Sequence, residues 1–324
     1  MGTIKVGVIG VGYLGRFHAQ KYAALEGVEL VGVSDLDEEQ INRVASECSC
    51  KAYTNYKDLL PLVDAVSIAV PTSLHHAVAS DCLELGIDVL LEKPITVTLE
   101  EADDLIAKAE KKSLIFQVGH LERFNPAVQA MEPFLTHPLF IESNRISVFK
   151  NRGVDVDVVL DLMIHDIDII LNIVKSPIKL IHTVGAPVAT PTTDIANARI
   201  IFENGATANV TVSRISRTNI RKMRIFQPGS YINVDFANKK VMTIQLKKEL
   251  MDSGMPKQDV KVNAFSDGDA LRSEIEHFVE NVRNRTKPSV SGHEGRRALA
   301  VALEVMSQIK EHQNLEVFKD YFNN

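Results

Sequence analysis

Between Ile4 and Gly119 short apolar runs alternate with segments whose apolar residues recur at helical spacing, the pattern of a parallel sheet covered on both faces. Strands are predicted at Ile4–Ile9, Val28–Ser34, Ala65–Val70, Val89–Leu91 and Leu114–Gly119. The third, Ala65-Val66-Ser67-Ile68-Ala69-Val70, suits a strand buried on both faces. A helix is expected from about His75 and stops at Gly86. Thr98-Leu99-Glu100-Glu101 is a capping box that opens another, with Ala102, Leu105, Ile106 and Ala109 on one side. Past about Leu121 the order becomes helix, long strand, helix, then consecutive strands. Asn204-Gly205, between Arg199–Phe202 and Thr207–Ser213, predicts a hairpin. In its second strand Ala208, Val210 and Val212 alternate with Thr207, Asn209, Thr211 and Ser213. A helix or substrate would cover one face of such a strand, and another subunit the other. Helical patterns near Ala270–Arg283 and Glu294–Lys310 end the chain. Two domains are therefore expected, residues 1–121 of the α/β class and residues 122–324 mostly antiparallel.

A length of 324 residues fits two domains of ordinary size. The net charge of −6 argues against nucleic acid or an anionic membrane as the main partner, since either favours a basic face. The first strand begins almost at once, leaving no room for a secretory signal, and no apolar run is long enough to span a bilayer. A cytoplasmic protein is expected. Cys48, Cys50 and Cys82 form no CxxC, and Cys48 and Cys82 continue apolar helix faces as buried thiols.

The first strand empties into Gly10-Val11-Gly12-Tyr13-Leu14-Gly15. Gly10 would take the tight turn, Gly12 would let a pyrophosphate approach the backbone, and Gly15 would let helix and strand pack closely. Tyr13 and Leu14 belong to the same expected cofactor loop. Asp35 ends the second strand, where its carboxylate can accept both ribose hydroxyls of an adenosine. It favours NAD over NADP, because a 2′-phosphate about 4 Å away would cost roughly 4 kcal/mol per unit charge. Asp37 reads instead as the cap of the next helix.

Two further groups carry candidate chemistry. Glu92-Lys93-Pro94 follows a strand at its carboxyl end, where ligands lie in open α/β sheets; Lys93 could contact a substrate hydroxyl and the nicotinamide ribose, or be a solvated loop lysine. A cis Lys93–Pro94 bond would suit the turn. In Asp161-Leu162-Met163-Ile164-His165 the spacing of four puts both ends on one helix face. A histidine, with an unperturbed pKa near 6.5, suits removal of a hydroxyl proton. The alternatives are a core histidine satisfied by the carboxylate, or a metal pair; with neither HExxH nor CxxC present, no metal is expected. Pro71, Thr72 and His75 follow a strand end and could meet ribose or nicotinamide, and Ser73 could simply cap the helix. His120, Arg123 and Asn125 lie in the segment joining the domains, with Arg123 as an anion contact or a salt bridge. Arg145, Lys150 and Arg152 could receive a pyrophosphate or be solvated.

Taken together, Gly10-x-Gly12-x-x-Gly15, Glu92-Lys93-Pro94 and Asp161-x-x-x-His165 resemble the glucose-fructose oxidoreductase, inositol dehydrogenase and MocA family over nearly the whole chain. The resemblance implies an N-terminal Rossmann dinucleotide-binding domain and a C-terminal α+β domain whose largely antiparallel open sheet builds homodimers or homotetramers. It also implies NAD as cofactor, a set of cofactor contacts that includes Glu92 and Lys93, and catalysis by Lys93, Asp161 and His165. Residues 119–126 and 158–168 look most like the UDP-N-acetylglucosamine 3-dehydrogenase branch. That branch implies oxidation of a nucleotide sugar at C3 and a 3-keto product passed to an aminotransferase. The candidate substrate-binding residues are Lys93, His120, Arg123, Asn125, Arg145, Asp161 and His165. A free sugar or inositol dehydrogenase, an NAD-dependent glycosidase and a non-catalytic NAD sensor are the competing readings.

Overall fold

The computed structural model describes residues 2–149, 156–266 and 268–313. The chain forms two compact units, one made of Met1–Phe124 and Asp269–Leu299, the other of Asn125–Gly268 and Ala300–Asn324.

The first unit contains β1 (Ile4–Ile9), α1 (Tyr13–Ala23), β2 (Val28–Ser34), α2 (Glu38–Cys48), β3 (Lys51–Tyr53), β4 (Ala65–Ile68), α3 (His75–Glu84), β5 (Asp88–Glu92), α4 (Leu99–Lys111) and β6 (Phe116–Gly119). The strands form one parallel sheet in the order β3-β2-β1-β4-β5-β6. That is the doubly wound dinucleotide-binding order, with its switch point between β1 and β4. Every residue of β4 and β5 is buried, as an apolar run in a sheet covered on both faces requires. The Thr98–Glu101 capping box forms, and Asp37 caps α2 through the Gln40 N–H. Ser73 does not cap α3, whose N-cap is Leu74 with no side-chain bond.

The second unit contains α5 (Pro126–Met131), β7 (Phe140–Val148), α6 (Ile164–Ile173), β8 (Ile178–Ala186), β9 (Ile195–Phe202), β10 (Thr207–Ser216), β11 (Ile220–Gln227), β12 (Ser230–Asp235), β13 (Lys240–Leu250) and β14 (Pro256–Ala264). Its sheet runs β14-β13-β12-β11-β7-β10-β9-β8 and is antiparallel except where β10 meets β7. The hairpin forms at Asn204-Gly205, with Gly205 at φ +87° and the Asn204 side chain accepting the Ala206 N–H. Ala208, Val210 and Val212 are fully buried, and α6 packs on β10 and β7.

The division of the chain differs from the expected 1–121 and 122–324. Helix α7 (Ala270–Asn284) and the start of α8 (Gly292–Gln313) belong to the first unit. Ile275, Phe278, Val279 and Val282 of α7 recur at helical spacing and share one core with Val6 and Val8 of β1 and Ala19 and Tyr22 of α1. The sequence shows that this face is apolar but not what it packs against. Among the described residues no helix is long and apolar enough to cross a membrane. The three cysteines are free; burial raises the Cys48 thiol and pushes Cys82 up to about 12.

Candidate active site

The glycine loop opens a cavity of about 470 Å³ at the carboxyl ends of β1, β2 and β4. Gly10 turns the chain at φ +83° and donates its N–H to the Ser34 carbonyl at 2.7 Å. A Cβ on Gly12 would meet no protein atom within 4 Å, so glycine there leaves open the space a pyrophosphate needs. A Cβ on Gly15 would lie 1.8 Å from the Gly10 carbonyl oxygen, so only glycine lets α1 pack on the turn. Helix α1 has no side-chain N-cap, and its positive end opens toward the cavity that Gly12 lines. Asp35 lies in the wall and accepts the Val11 N–H at 2.7 Å through Oδ2. The volume, the open approach at Gly12 and the carboxylate fit a dinucleotide.

The remaining expected cofactor residues divide. Pro71 lines the cavity, and Thr72 begins the single 3₁₀ turn Thr72–Leu74 behind it. Tyr13 is exposed, with its ring edge-on to Phe17 at 5.3 Å, and Leu14 is half-buried. His75 corrects an expectation. It is buried, and its ring nitrogens lie 2.9 Å from the Pro94 and Val70 carbonyls, so it ties Val70 of the cavity wall to the turn at Pro94 from inside the fold. Leu36, Thr54 and Tyr56 line the cavity although the sequence did not single them out. Thr54 and Tyr56 follow β3, a three-residue strand too short to show alternation.

Lys93 is half-buried at the carboxyl end of β5, beside β4, and the Lys93–Pro94 bond is cis. Glu92 is buried below it. Its carboxylate accepts the Lys93 N–H at 3.2 Å and lies 3.0 Å from His18 Nε2, so it shapes the turn from inside the fold. His120 is buried, and Arg123 donates to the Ser289 carbonyl at 3.5 Å.

In the second unit the segment that carries Asp161 and His165 is not one regular α-helix. Val159–Met163 is a π-helical turn that passes into α6 at Ile164, so Asp161 lies in a widened turn and His165 in regular helix. Such π segments recur at functional sites, where they re-aim side chains. Asp161 is exposed and His165 half-buried. Arg145 is 2% exposed, and its Nε lies 2.8 Å from the Asp166 carboxylate. A second guanidinium nitrogen reaches the same carboxylate, and the ring of Phe236 lies against the guanidinium. Arg145 is thus spent on an internal ion pair and not held out for an anion. Lys150 and Arg152 lie outside the described residues. Asn125 caps α5 through the Ala127 N–H and donates to the Phe236 carbonyl at 3.2 Å.

Residues 4–120 match the oxidoreductase family with an NAD-binding Rossmann fold, and residues 142–227 match the C-terminal domain of the same glucose-fructose oxidoreductase, inositol dehydrogenase and MocA group. The chain belongs to that family. It is 40% identical over 303 residues to a UDP-N-acetylglucosamine 3-dehydrogenase of Acidithiobacillus ferrooxidans, covering 93% of this chain and 96% of that one. A solved structure of that dehydrogenase superposes with a TM-score of 0.89 at 38% identity, covering 96% of this chain and 99% of the other. A scyllo-inositol 2-dehydrogenase (NAD(+)) of Bacillus subtilis is 28% identical over 89% of each chain. As a family member the protein is an oxidoreductase with an NAD-binding domain, and the glycine loop and Asp35 are the parts of this chain that fit NAD.

Proposed function

We propose that this protein oxidises the C3 hydroxyl of UDP-N-acetylglucosamine to a ketone. The observation that carries the reading is the 40% identity to a UDP-N-acetylglucosamine 3-dehydrogenase along nearly the full length of both chains. When bound, NAD supplies the hydride acceptor. His165 takes the hydroxyl proton, as a side chain with a pKa near 6.5 is suited to do at neutral pH. Lys93, which the family resemblance makes catalytic, is assigned a hydrogen bond to the substrate hydroxyl. Asp161, on the π turn that leads into α6, orients the hydroxyl. Asp35 and the Gly10–Gly15 loop hold the adenosine and pyrophosphate.

The reading places the protein in the cytoplasm, supplying a 3-keto nucleotide sugar that an amine-transferring enzyme would consume. It also includes a homodimer or homotetramer built on the second sheet, whose outer strands expose Leu246, Leu250, Val260 and Val262. The inositol 2-dehydrogenase relative supports the second reading, a free cyclitol or sugar dehydrogenase.

The deciding assay offers the purified protein NAD with UDP-N-acetylglucosamine, free N-acetylglucosamine or myo-inositol, with and without a 2-oxoacid to reoxidise retained NADH. NADH formation or 2-oxoacid reduction only with the UDP-sugar is expected, and activity with inositol alone selects the second reading. Lys93→Met and His165→Ala should each lower turnover by about a hundredfold or more; retention within a few-fold would refute the roles given to these residues.

A further inference from the structure

Beneath Lys93 lies a closed polar cluster within the first unit. His18 of α1 is fully buried, with Nε2 3.0 Å from Glu92 Oε1 and Nδ1 3.2 Å from Ser67 Oγ. Ser67 Oγ is also 2.8 Å from the Tyr22 hydroxyl. Glu92 Oε2 takes the Lys93 N–H, and a Cβ on Gly119 would stand 3.0 Å from the Glu92 carboxyl, so glycine there makes room for it. Glu274 enters from α7. It is fully buried, and neither of its carboxyl oxygens has a hydrogen-bond partner among the described residues. One atom each of His18, Glu92 and Glu274 lie within 4.8 Å of one another.

Two ionised carboxylates this close in a buried interior repel strongly. Burial first, and then the Glu92 charge, raise the Glu274 pKa well above the usual carboxylate value. The other titratable groups facing it are His18 and Tyr22, and burial also raises the Tyr22 phenol. Two carboxylates and a histidine are also metal-ligand chemistry. The His18–Glu92 contact, however, is already at hydrogen-bond distance, and the other Glu92 oxygen is engaged by the main chain of Lys93. The arrangement favours a proton over an ion.

We propose that Glu274 is a positioning residue for Lys93, held as a neutral acid that donates to the Glu92 carboxylate and so, with His18, sets the backbone from which the lysine projects. The proposed contact requires the Glu274 carboxyl to turn toward Glu92, whose carboxylate is its near neighbour in the cluster. The role of Glu274 rests on the reading of Lys93 as catalytic, while its protonation state does not. A displacement of about 1 Å in a catalytic group costs on the order of a hundredfold in rate, so such a clamp acts on kcat.

The test uses the full chain and two variants. Glu274→Gln keeps a neutral donor and should retain kcat within about threefold, whereas Glu274→Leu should lose tenfold or more in kcat with KM for NAD and sugar within about twofold. The parent at neutral pH should show the infrared band of a protonated carboxyl that Glu274→Gln lacks. If Glu274→Leu does not fold, the band and the Gln variant decide. Absence of the band overturns the proposal, as does a folded, NADH-binding Gln variant that has lost tenfold in kcat. Full activity in Glu274→Leu, or a stoichiometric divalent ion in the purified protein, overturns it as well. Should Lys93→Met keep its activity, the catalytic reading fails, and the infrared band still reports on the cluster.

Discussion

The backbone N–H of Val11 and the Oδ2 atom of Asp35 lie 2.7 Å apart, which ties the glycine loop to the end of β2. The other carboxylate oxygen accepts the Asp37 N–H at 3.2 Å. Asp35 therefore both shapes the cofactor loop and presents charge to the cavity it lines.

NAD should accordingly bind much more tightly than NADP. Asp35→Ala removes the charge that repels a 2′-phosphate and also a loop contact, so NAD should weaken while NADP weakens less or improves. The ratio of dissociation constants should shrink at least tenfold, or about 1.4 kcal/mol. Equal affinities in the parent protein, measured by titration calorimetry, would mean that the adenosine end has been misassigned.

Much of the fold, and the glycine loop that opens the cofactor cavity, is legible in the sequence because each part answers a local demand. Gly10 has the positive φ of its turn, Thr98 and Glu101 satisfy helix-end donors reciprocally, and Asn204-Gly205 provides a tight hairpin. What escapes notice depends on distant partners. The spacing of Asp161 and His165 does not reveal the π turn, which packs on β10, a strand distant in sequence. The apolar face of α7 does not name α1 as its neighbour. Arg145 looks like a free cation until the fold supplies Asp166, and Glu274 like one more surface acid until α7 buries it. The Thr54 and Tyr56 contributions depend on where β3 lies in the sheet.

Arg145 and Asp166 form a buried pair, so removing one partner leaves an uncompensated charge inside the second unit. Arg145→Ala should destabilise by about 3–5 kcal/mol, and Arg145→Met with Asp166→Leu together by much less. Denaturant unfolding measures both. An Arg145→Ala protein of parental stability with a raised sugar KM would instead restore this residue to the substrate site.

Asp194 is fully buried and accepts the N–H groups of Val188, Ala189 and Thr190 at 2.6–2.8 Å. Burial alone would raise this carboxyl, but the Ala189 and Val188 donors and the Thr190 hydroxyl outweigh it and hold its pKa below the usual value. The stability it gives is therefore present above about pH 4 and is lost as pH falls through the lowered folded value. Asp194→Asn should cost roughly 3 kcal/mol at neutral pH, and the gap should close in acid. A gap independent of pH would assign the loss to shape and not to charge.

His75 ties Val70 of the cofactor cavity to the turn at Pro94, and its titration should be visible in stability. Burial lowers its pKa from the usual value, and the Val70 and Pro94 carbonyls, which favour the imidazolium, do not make up the difference. A neutral imidazole has one N–H and satisfies one carbonyl at a time. Because the folded pKa is depressed, the unfolded chain binds the extra proton first, and the stability from His75 is lost as pH falls below about 6.5. His75→Ala should therefore be less stable than the parent at mildly alkaline pH, with the difference narrowing as the solution becomes acid. It should also weaken NAD binding roughly tenfold, about 1.4 kcal/mol, because the Val70 and Pro94 backbones lose their brace. A variant that weakens NAD equally but leaves the pH dependence of unfolding unchanged would mean that His75 touches the cofactor directly.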